Sequence, residues 1–218
     1  LSILFSKIVG YKNNLWIKNA VYYQEKNLLY LVKMSKETRF GKDHGFSQIK
    51  TYSEWKKRVP IRDYEGLTSY IEDIKSGEKS VLWPGKPIYF CKTSGTTSGS
   101  KYIPISKESM PYHIKSARDA ILSYIAETKN ASIVRGKMIF LQGSPKLNSV
   151  GGVLTGRLSG IVAHHVPAYL KKNRLPSYKT NCIDDWEKKI DAITEETLSQ
   201  KMSIIGGIPS WVQMYFEQ

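Results

Sequence analysis

Apolar residues recur mostly at three- and four-residue intervals over residues 14–38, where Leu15, Ile17, Val21, Leu28, Leu31 and Val32 fall with no Gly or Pro between them. That spacing predicts one long amphipathic helix. The stretch RFGKDHGF then supplies two glycines and a break. Ser53 stands where a second helix needs a cap, Pro60 ends that helix, and Asp63 can cap a third over residues 64–77. Residues 1–80 therefore read as a helical N-terminal segment that packs on the main domain. The opening LSILFSKIVG is apolar but short, without a basic leader or a small-residue cleavage site, and reads as a packing segment rather than a signal peptide.

From residue 88 the period changes. IYFCK (88–92) and KYIPI (101–105) are short, apolar and rich in β-formers, so they predict strands flanking a loop. A helix follows from Met110 to Lys129, with Ser109 as its cap, Pro111 tolerated in its first turn, and Ile114, Ala117, Ile121, Tyr124 and Ile125 as its apolar face. GKMIFLQGS (136–144) and MSIIGG (202–207) read as buried strands. Residues 184–198 read as a charged amphipathic helix and IPSWVQMYFEQ as a last helix. NSVGGVLTGRLSG reads as a glycine-rich loop running into a short helix. The expected class is α/β, a mixed sheet with flanking helices over residues 81–218, preceded by the helical segment. The last helix meets no Gly or Pro stop, so this domain reads as truncated at its C-terminus.

The chain has 218 residues, 41% of them hydrophobic, enough for a sizeable core. No run approaches the roughly 20 apolar residues of a membrane span. Cys91 and Cys182 are far apart and lack CxxC or metal-type spacing, which reads as two thiols of a reducing, cytoplasmic setting. Thirty-three basic against 19 acidic residues give a net charge of +14. Such a field attracts nucleic acid, anionic lipid or phosphorylated small molecules. The cations are nevertheless dispersed, as in Lys56–Lys57–Arg58 and Lys188–Lys189, without interleaved aromatics, and read as solvated faces. Sequence-directed nucleic-acid binding is disfavoured.

Between the two predicted strands, seven consecutive residues from Ser94 to Ser100 are hydroxyl-bearing or glycine, and Lys101 follows. A backbone that folds around phosphates needs glycines to turn its N–H groups inward, hydroxyls as neutral donors and a cation. A solvent-exposed hairpin loop carries the same residue types. The Walker pattern G-x-x-x-x-G-K-[ST] is excluded: only three residues separate Gly95 from Gly99, Ser100 precedes the lysine, and Tyr102 follows it. G-x-G-x-x-G is absent.

The order strand, TSGTTSGSK, strand resembles the phosphate loop of the adenylate-forming superfamily, and its GH3 branch (SSGTTSGxxK) most closely. It departs from that form in having one residue between Gly99 and Lys101. The stretch from Thr51 to Glu78, LWPGKPIYFCK, GKMIFLQGSP and IIGGIPSW resemble successive GH3 segments in the same order. The resemblance implies the N-terminal part of a bacterial-type GH3 acyl acid–amido synthetase, an ATP-dependent ligase that adenylates a carboxylic acid and passes it to an amino acid. It implies Thr93, Ser94, Gly95, Thr96, Thr97, Ser98, Gly99 and Lys101 as the ATP-phosphate loop, with Thr96 and Lys101 as the catalytic pair and Mg²⁺ on the phosphates. Gly206, Gly207, Ile208 and Pro209 would line the acid pocket, or make an ordinary turn. Arg118 is placed to pair with a substrate carboxylate, or to form a surface salt bridge. Adenosine- and Mg²⁺-binding motifs and the mobile C-terminal domain are expected beyond residue 218, so this chain is not expected to complete a reaction alone.

Two other readings stand beside it. An acyl-CoA synthetase-like enzyme would differ in its acceptor, and a non-catalytic basic domain would bind nucleotide or nucleic acid without acid-dependent chemistry. Adjacent His164 and His165 point in different directions and have no third ligand in view, which disfavours a metal site.

Overall fold

The computed structural model describes residues 2–93 and 99–218. In chain order the helical segment comprises α1 (Ser2–Lys18), α2 (Ala20–Ser35), α3 (Arg39–Asp43), α4 (Tyr52–Arg58) and α5 (Thr68–Ser76). Strands β1 (Tyr89–Lys92) and β2 (Tyr102–Ile105), helix α6 (Met110–Thr128) and strands β3 (Lys137–Leu141), β4 (Asn148–Val150) and β5 (Val153–Gly156) follow. Then come α7 (Leu158–His164), α8 (Ala168–Lys171), β6 (Arg174–Leu175), α9 (Tyr178–Asn181), α10 (Trp186–Thr197), β7 (Met202–Gly207) and α11 (Pro209–Glu217). The α/β class holds, with the strands divided between two sheets, ordered β2-β1-β5-β4 and β6-β3-β7. The chain forms two compact units.

The hairpin unit takes Tyr11–Met110 and Ser149–Thr155. The long helix expected over residues 14–38 is two helices, because Asn19 leaves the helical region at φ −118° and ψ 34°. Its side-chain amide donates to the Leu15 carbonyl at 2.8 Å, the local competition that disfavours Asn inside helices. The opening segment is itself helical and buries only Ser6 and Val9. Thr51, not Ser53, caps α4: its hydroxyl accepts from Glu54 N at 3.2 Å, and the Glu54 carboxylate accepts from Thr51 N at 3.0 Å. This reciprocal box is written in the sequence as T-x-x-E. Asp63 accepts from Gly66 N at 2.9 Å, within a 3₁₀ turn (Glu65–Leu67) ahead of α5 rather than at the start of α5 itself.

Strands β1 and β2 pair antiparallel with Phe90 opposite Pro104. Proline in a strand is tolerated here because β2 is the sheet edge. Phe90, fully buried, joins Tyr70, Ile74, Val81 and Val153 in the core beneath this sheet. The expected loop over residues 149–156 is instead a β-hairpin. Gly151 and Gly152 have φ of +56° and +74°, the left-handed pair that a tight two-residue turn requires.

The parallel-sheet unit takes Leu1–Gly10, Pro111–Asn148 and Gly156–Gln218. β3 lies central, parallel to both β6 and β7. Met138, Ile139 and Leu141 are all buried, the near-continuous apolar run of a strand covered on both faces. Ile139 and Leu141 pack with Ile190 and Ile193 of α10, and Trp211 of α11 stacks on Trp186 at 4.0 Å. On α6 the buried residues are Met110, Leu122 and Ile125, whereas Ala117 and Tyr124 are exposed, so the buried stripe is rotated from the expected face. Ser109 donates to Ser106 O rather than capping a helical N–H.

Lys189, 2% exposed, is the unit's buried cation. Its Nζ donates to Asn181 O at 2.7 Å and Gln142 O at 3.1 Å. Burial pulls its pKa below the ordinary lysine value. Between that lowered value and about 10.4 the unfolded chain binds more protons than the folded one, so wild-type stability rises with pH across this window. Lys189→Met removes the titration. Urea unfolding as a function of pH is expected to show the two proteins separated by a constant gap at neutral pH, with the wild type gaining on the variant as pH climbs toward the free-lysine value. A gap independent of pH up to that value would show that desolvation of Lys189 is unimportant.

Candidate functional site

The β1–β2 hairpin presents the glycine- and hydroxyl-rich run. One pair beyond the regular ladder, Thr93 N donates to Lys101 O at 3.0 Å, and Lys101 N donates to Thr93 Oγ1 at 3.3 Å. The run from residue 94 to 100 thus begins and ends at a hydrogen-bonded pair of its own motif. Ser94, Gly95, Thr96, Thr97 and Ser98 lie outside the described residues. Gly99 has φ +82°, and among the described residues no atom beyond its chain neighbours stands within 4 Å of where a Cβ would be, so glycine serves conformation rather than space here.

Lys101 Nζ meets Glu65 Oε1 at 3.0 Å and lies 5.1 Å from the centroid of the Tyr64 ring. The hydrogen bond from Lys101 holds the Glu65 carboxyl below the ordinary carboxylate range. The Tyr64 hydroxyl accepts from Tyr102 N at 2.9 Å, fastening the 3₁₀ turn to the first residue of β2. Sequence reasoning assigned no role to Tyr64 or Glu65, because nothing in local spacing links them to a lysine on a distant strand. Both partners are partly exposed, so the ion pair is a weak one.

The remaining candidates fall in the parallel-sheet unit. Arg118 sits mid-way along α6, with Nε and Nη2 on Asp119 Oδ1 at 2.9 and 2.7 Å. A substrate carboxylate there would have to displace Asp119. Gly206 and Gly207 close β7 opposite Phe140 and Leu141. A Cβ at Gly207 would come 2.8 Å from Leu141 Cβ and 3.0 Å from its carbonyl oxygen, so close packing demands this glycine. Ile208 caps α11 in an extended conformation and is 49% exposed, and Pro209 takes the first helical position. This is the carboxyl end of a parallel strand, where open α/β sheets bind ligands. His164 Nε2 is engaged with Pro145 O at 2.8 Å. Among the described residues, no three His, Cys, Asp or Glu side chains gather as a metal site. No helix among them is long and apolar enough to cross a membrane.

A family model, the GH3 family N-terminal domain, matches residues 14–184. The chain belongs to the GH3 family. Among curated GH3 relatives, jasmonoyl–L-amino acid synthetase JAR6 of Nicotiana attenuata is 28% identical over 142 residues, 64% of this chain and 24% of the relative. Indole-3-acetic acid-amido synthetase GH3.15 of Arabidopsis thaliana is 42% identical over 62 residues, 28% of this chain and 10% of the relative. The solved structure of the AtGH3.15 acyl acid amido synthetase in complex with 2,4-DB superposes with a TM-score of 0.65 at 20% identity. It covers 80% of this chain and 31% of that one, and establishes a shared fold. The match to JAR6 thus spans about a quarter of that GH3 enzyme's length.

Proposed function

We propose that this chain is the N-terminal part of an ATP-dependent ligase that activates a carboxylic acid as its adenylate and conjugates it to an amino acid. The observation that carries this reading is the loop itself: in a GH3 chain, the serine-, threonine- and glycine-rich run stands on a hairpin closed by Thr93 and Lys101, with the lysine ammonium at its base. Those residues fit a polyphosphate. Backbone N–H groups freed by glycine, hydroxyl donors and one cation match phosphate oxygens. The names of the relatives, acid–amino acid synthetases, point to the acid and amine.

In the first step the acid's carboxylate attacks the α-phosphorus and pyrophosphate leaves. In the second an amine attacks the acyl carbon and AMP leaves. Charge builds on the phosphate oxygens in the first step, and fixed donors stabilise it without a protein nucleophile. In this scheme Ser94, Thr96, Thr97 and Ser98 donate, Gly95 and Gly99 allow the turn, and Lys101 exchanges Glu65 for phosphate. Mg²⁺ carried on the phosphates would supply further neutralisation.

The test is carboxylate-dependent exchange of pyrophosphate into ATP by the full-length protein, with a pooled panel of acids. The wild type is expected to exchange only when acid is present, and Thr96→Ala to lower the rate on the order of 10²-fold, as loss of one transition-state donor does. Exchange indifferent to the Thr96 change would remove the loop from the reaction. Salt-dependent nucleic-acid binding with no acid-dependent exchange would favour the basic binding domain instead.

A further inference from the structure

Helix α1 carries its apolar stripe on the side that faces water. Leu4, Ile8, Tyr11 and Leu15 follow one another at intervals of four, three and four residues, which sets them in one line down the helix. All four are exposed, Leu4 at 65% and Tyr11 at 66%. The opposite side holds Ser6, Val9 and half-buried Asn13. That side is the one that packs: a Cβ at Gly10 would meet Cβ of Ala126 in α6 at 3.4 Å. The expected packing segment thus turns its small residues to the protein and leaves its large apolar ones in water. The family match begins at residue 14, so Leu4, Ile8 and Tyr11 lie outside it.

Lysines border the stripe on both sides. At the helical repeat, Lys12 lies about 60° to one side of Leu15, and Lys18 and Lys7 about 60–80° to the other. The helix has these three lysines and no Asp or Glu. None of the three has an ion-pair partner among the described residues. Trp16, half exposed, stands on the Lys12 side. Such amphipathic rings favour a water–lipid boundary, and lysine stems lie along apolar surface while their ammonium groups reach out to charge. Unlike the dispersed cations elsewhere in the chain, these alternate with apolar and aromatic residues, so the face fits a partner that is anionic and apolar at once. Nucleic acid would pair the lysines and leave the aliphatic stripe wet. A second copy of the chain would cover the stripe but bring the same lysines. An anionic bilayer satisfies both.

We propose that α1 lies in the interface of an anionic lipid bilayer, with Leu4, Ile8, Tyr11 and Leu15 among the upper acyl chains and Lys7, Lys12 and Lys18 at the phosphate headgroups. A helix of this kind lies in the membrane plane and does not cross it. The binding needs neither ATP nor acid and does not rest on the ligase reading.

The full-length protein is mixed with vesicles of phosphatidylcholine alone, or of phosphatidylcholine and phosphatidylglycerol in equal parts. Binding is read by co-sedimentation and by tryptophan fluorescence. A lysine at an anionic surface tightens binding roughly fivefold, so three of them should favour the anionic vesicles on the order of 10²-fold. High salt should remove that preference. Leu4→Ser with Ile8→Ser, both at exposed positions, should leave the fold intact and weaken vesicle binding at least about tenfold, through lost apolar burial. Lys12→Gln with Lys18→Gln should weaken it about 25-fold and flatten its salt dependence. Lys57→Gln, on exposed α4, should change neither. A blue shift on binding that Trp16→Phe removes, with quenching by brominated lipid, marks insertion at the interface. The proposal is overturned if anionic vesicles are not preferred, or if the Leu4 and Ile8 pair binds them like wild type, which is adsorption by charge alone. It is also overturned if Trp16 is shielded from acrylamide without vesicles, since protein then covers α1; equilibrium sedimentation tells a second copy from the chain itself. Nucleic-acid binding that falls with the lysine pair, without vesicle binding, overturns it too. Acid-dependent pyrophosphate exchange without vesicles is expected unchanged in the Leu4 and Ile8 pair, and its loss there would mean that the stripe acts inside the protein.

Discussion

Gly41→Ala is expected to destabilise the protein by at least about 3 kcal/mol, beyond the usual range for adding one methyl group to a packed interior. A Cβ at this position in α3 would stand 2.1 Å from the Ser35 carbonyl oxygen and 3.0 Å from both the carbonyl carbon and the Cα of Lys36. All three are backbone atoms, so no rotamer change makes room. The Ser35 oxygen is also pinned: Thr38 Oγ1 donates to it at 2.6 Å and Thr38 N at 3.0 Å. Thr38, 1% exposed, in turn accepts from Gly41 N at 3.0 Å. The alanine must therefore break the cap that shapes the α2–α3 corner, and expose Phe40 from its contacts with His44, Phe46 and Tyr70. Urea unfolding measures the loss, and a change under 1 kcal/mol would mean that the corner yields to the added methyl group.

That glycine shows what the sequence yields and what it withholds. RFGKDHGF is legible as a chain break, but the letter G does not say whether conformation or space is being served. Gly41 lies inside a helix and is there for space, whereas Gly99 is there for its φ. The strands and helices from residue 88 onward are legible because apolar period and turn residues agree. The division into two sheets is not, because pairing between distant strands leaves no local mark. The hairpin over residues 148–156 could have been read from Gly151–Gly152 between two short β-forming runs.

The candidate site divides the same way. Its loop is legible as an unbroken chemical motif, and the placing of the loop between two strands follows from β-propensity on either side. Its partners are not legible. Glu65 meets Lys101 only through the packing of a 3₁₀ turn against a strand edge. Contacts made by tertiary packing override the local reading of a charge as solvated, and both residues are charges of that kind.

Phe90→Ala is the second large effect, because it removes the support under the loop. Phe90 is fully buried and meets Tyr102, on the facing strand, edge to face at 5.9 Å and 83°. It also fills the core shared by Tyr70, Ile74, Val81 and Val153, so one ring joins β1 to α5, β2 and β5. Truncating a buried Phe to Ala costs about 3–5 kcal/mol, through lost transfer energy and the cavity left behind. The same truncation at Phe216, 71% exposed, should stay within about 0.5 kcal/mol. If the loop acts through the position of its base, loss at Phe90 reaches further than stability. One pair beyond β1 and β2, Thr93 N donates to Lys101 O and Lys101 N to the Thr93 hydroxyl oxygen. A cavity at Phe90 loosens that pair first, since Pro104 opposite it contributes no N–H to the ladder. Amide exchange at Thr93 and Lys101 should therefore accelerate under native conditions more than amide exchange in β3, and, on the proposed function, ATP affinity should fall with it. Equal acceleration in both sheets would show global unfolding alone, and would detach the loop's base from the core that the sequence places beneath it.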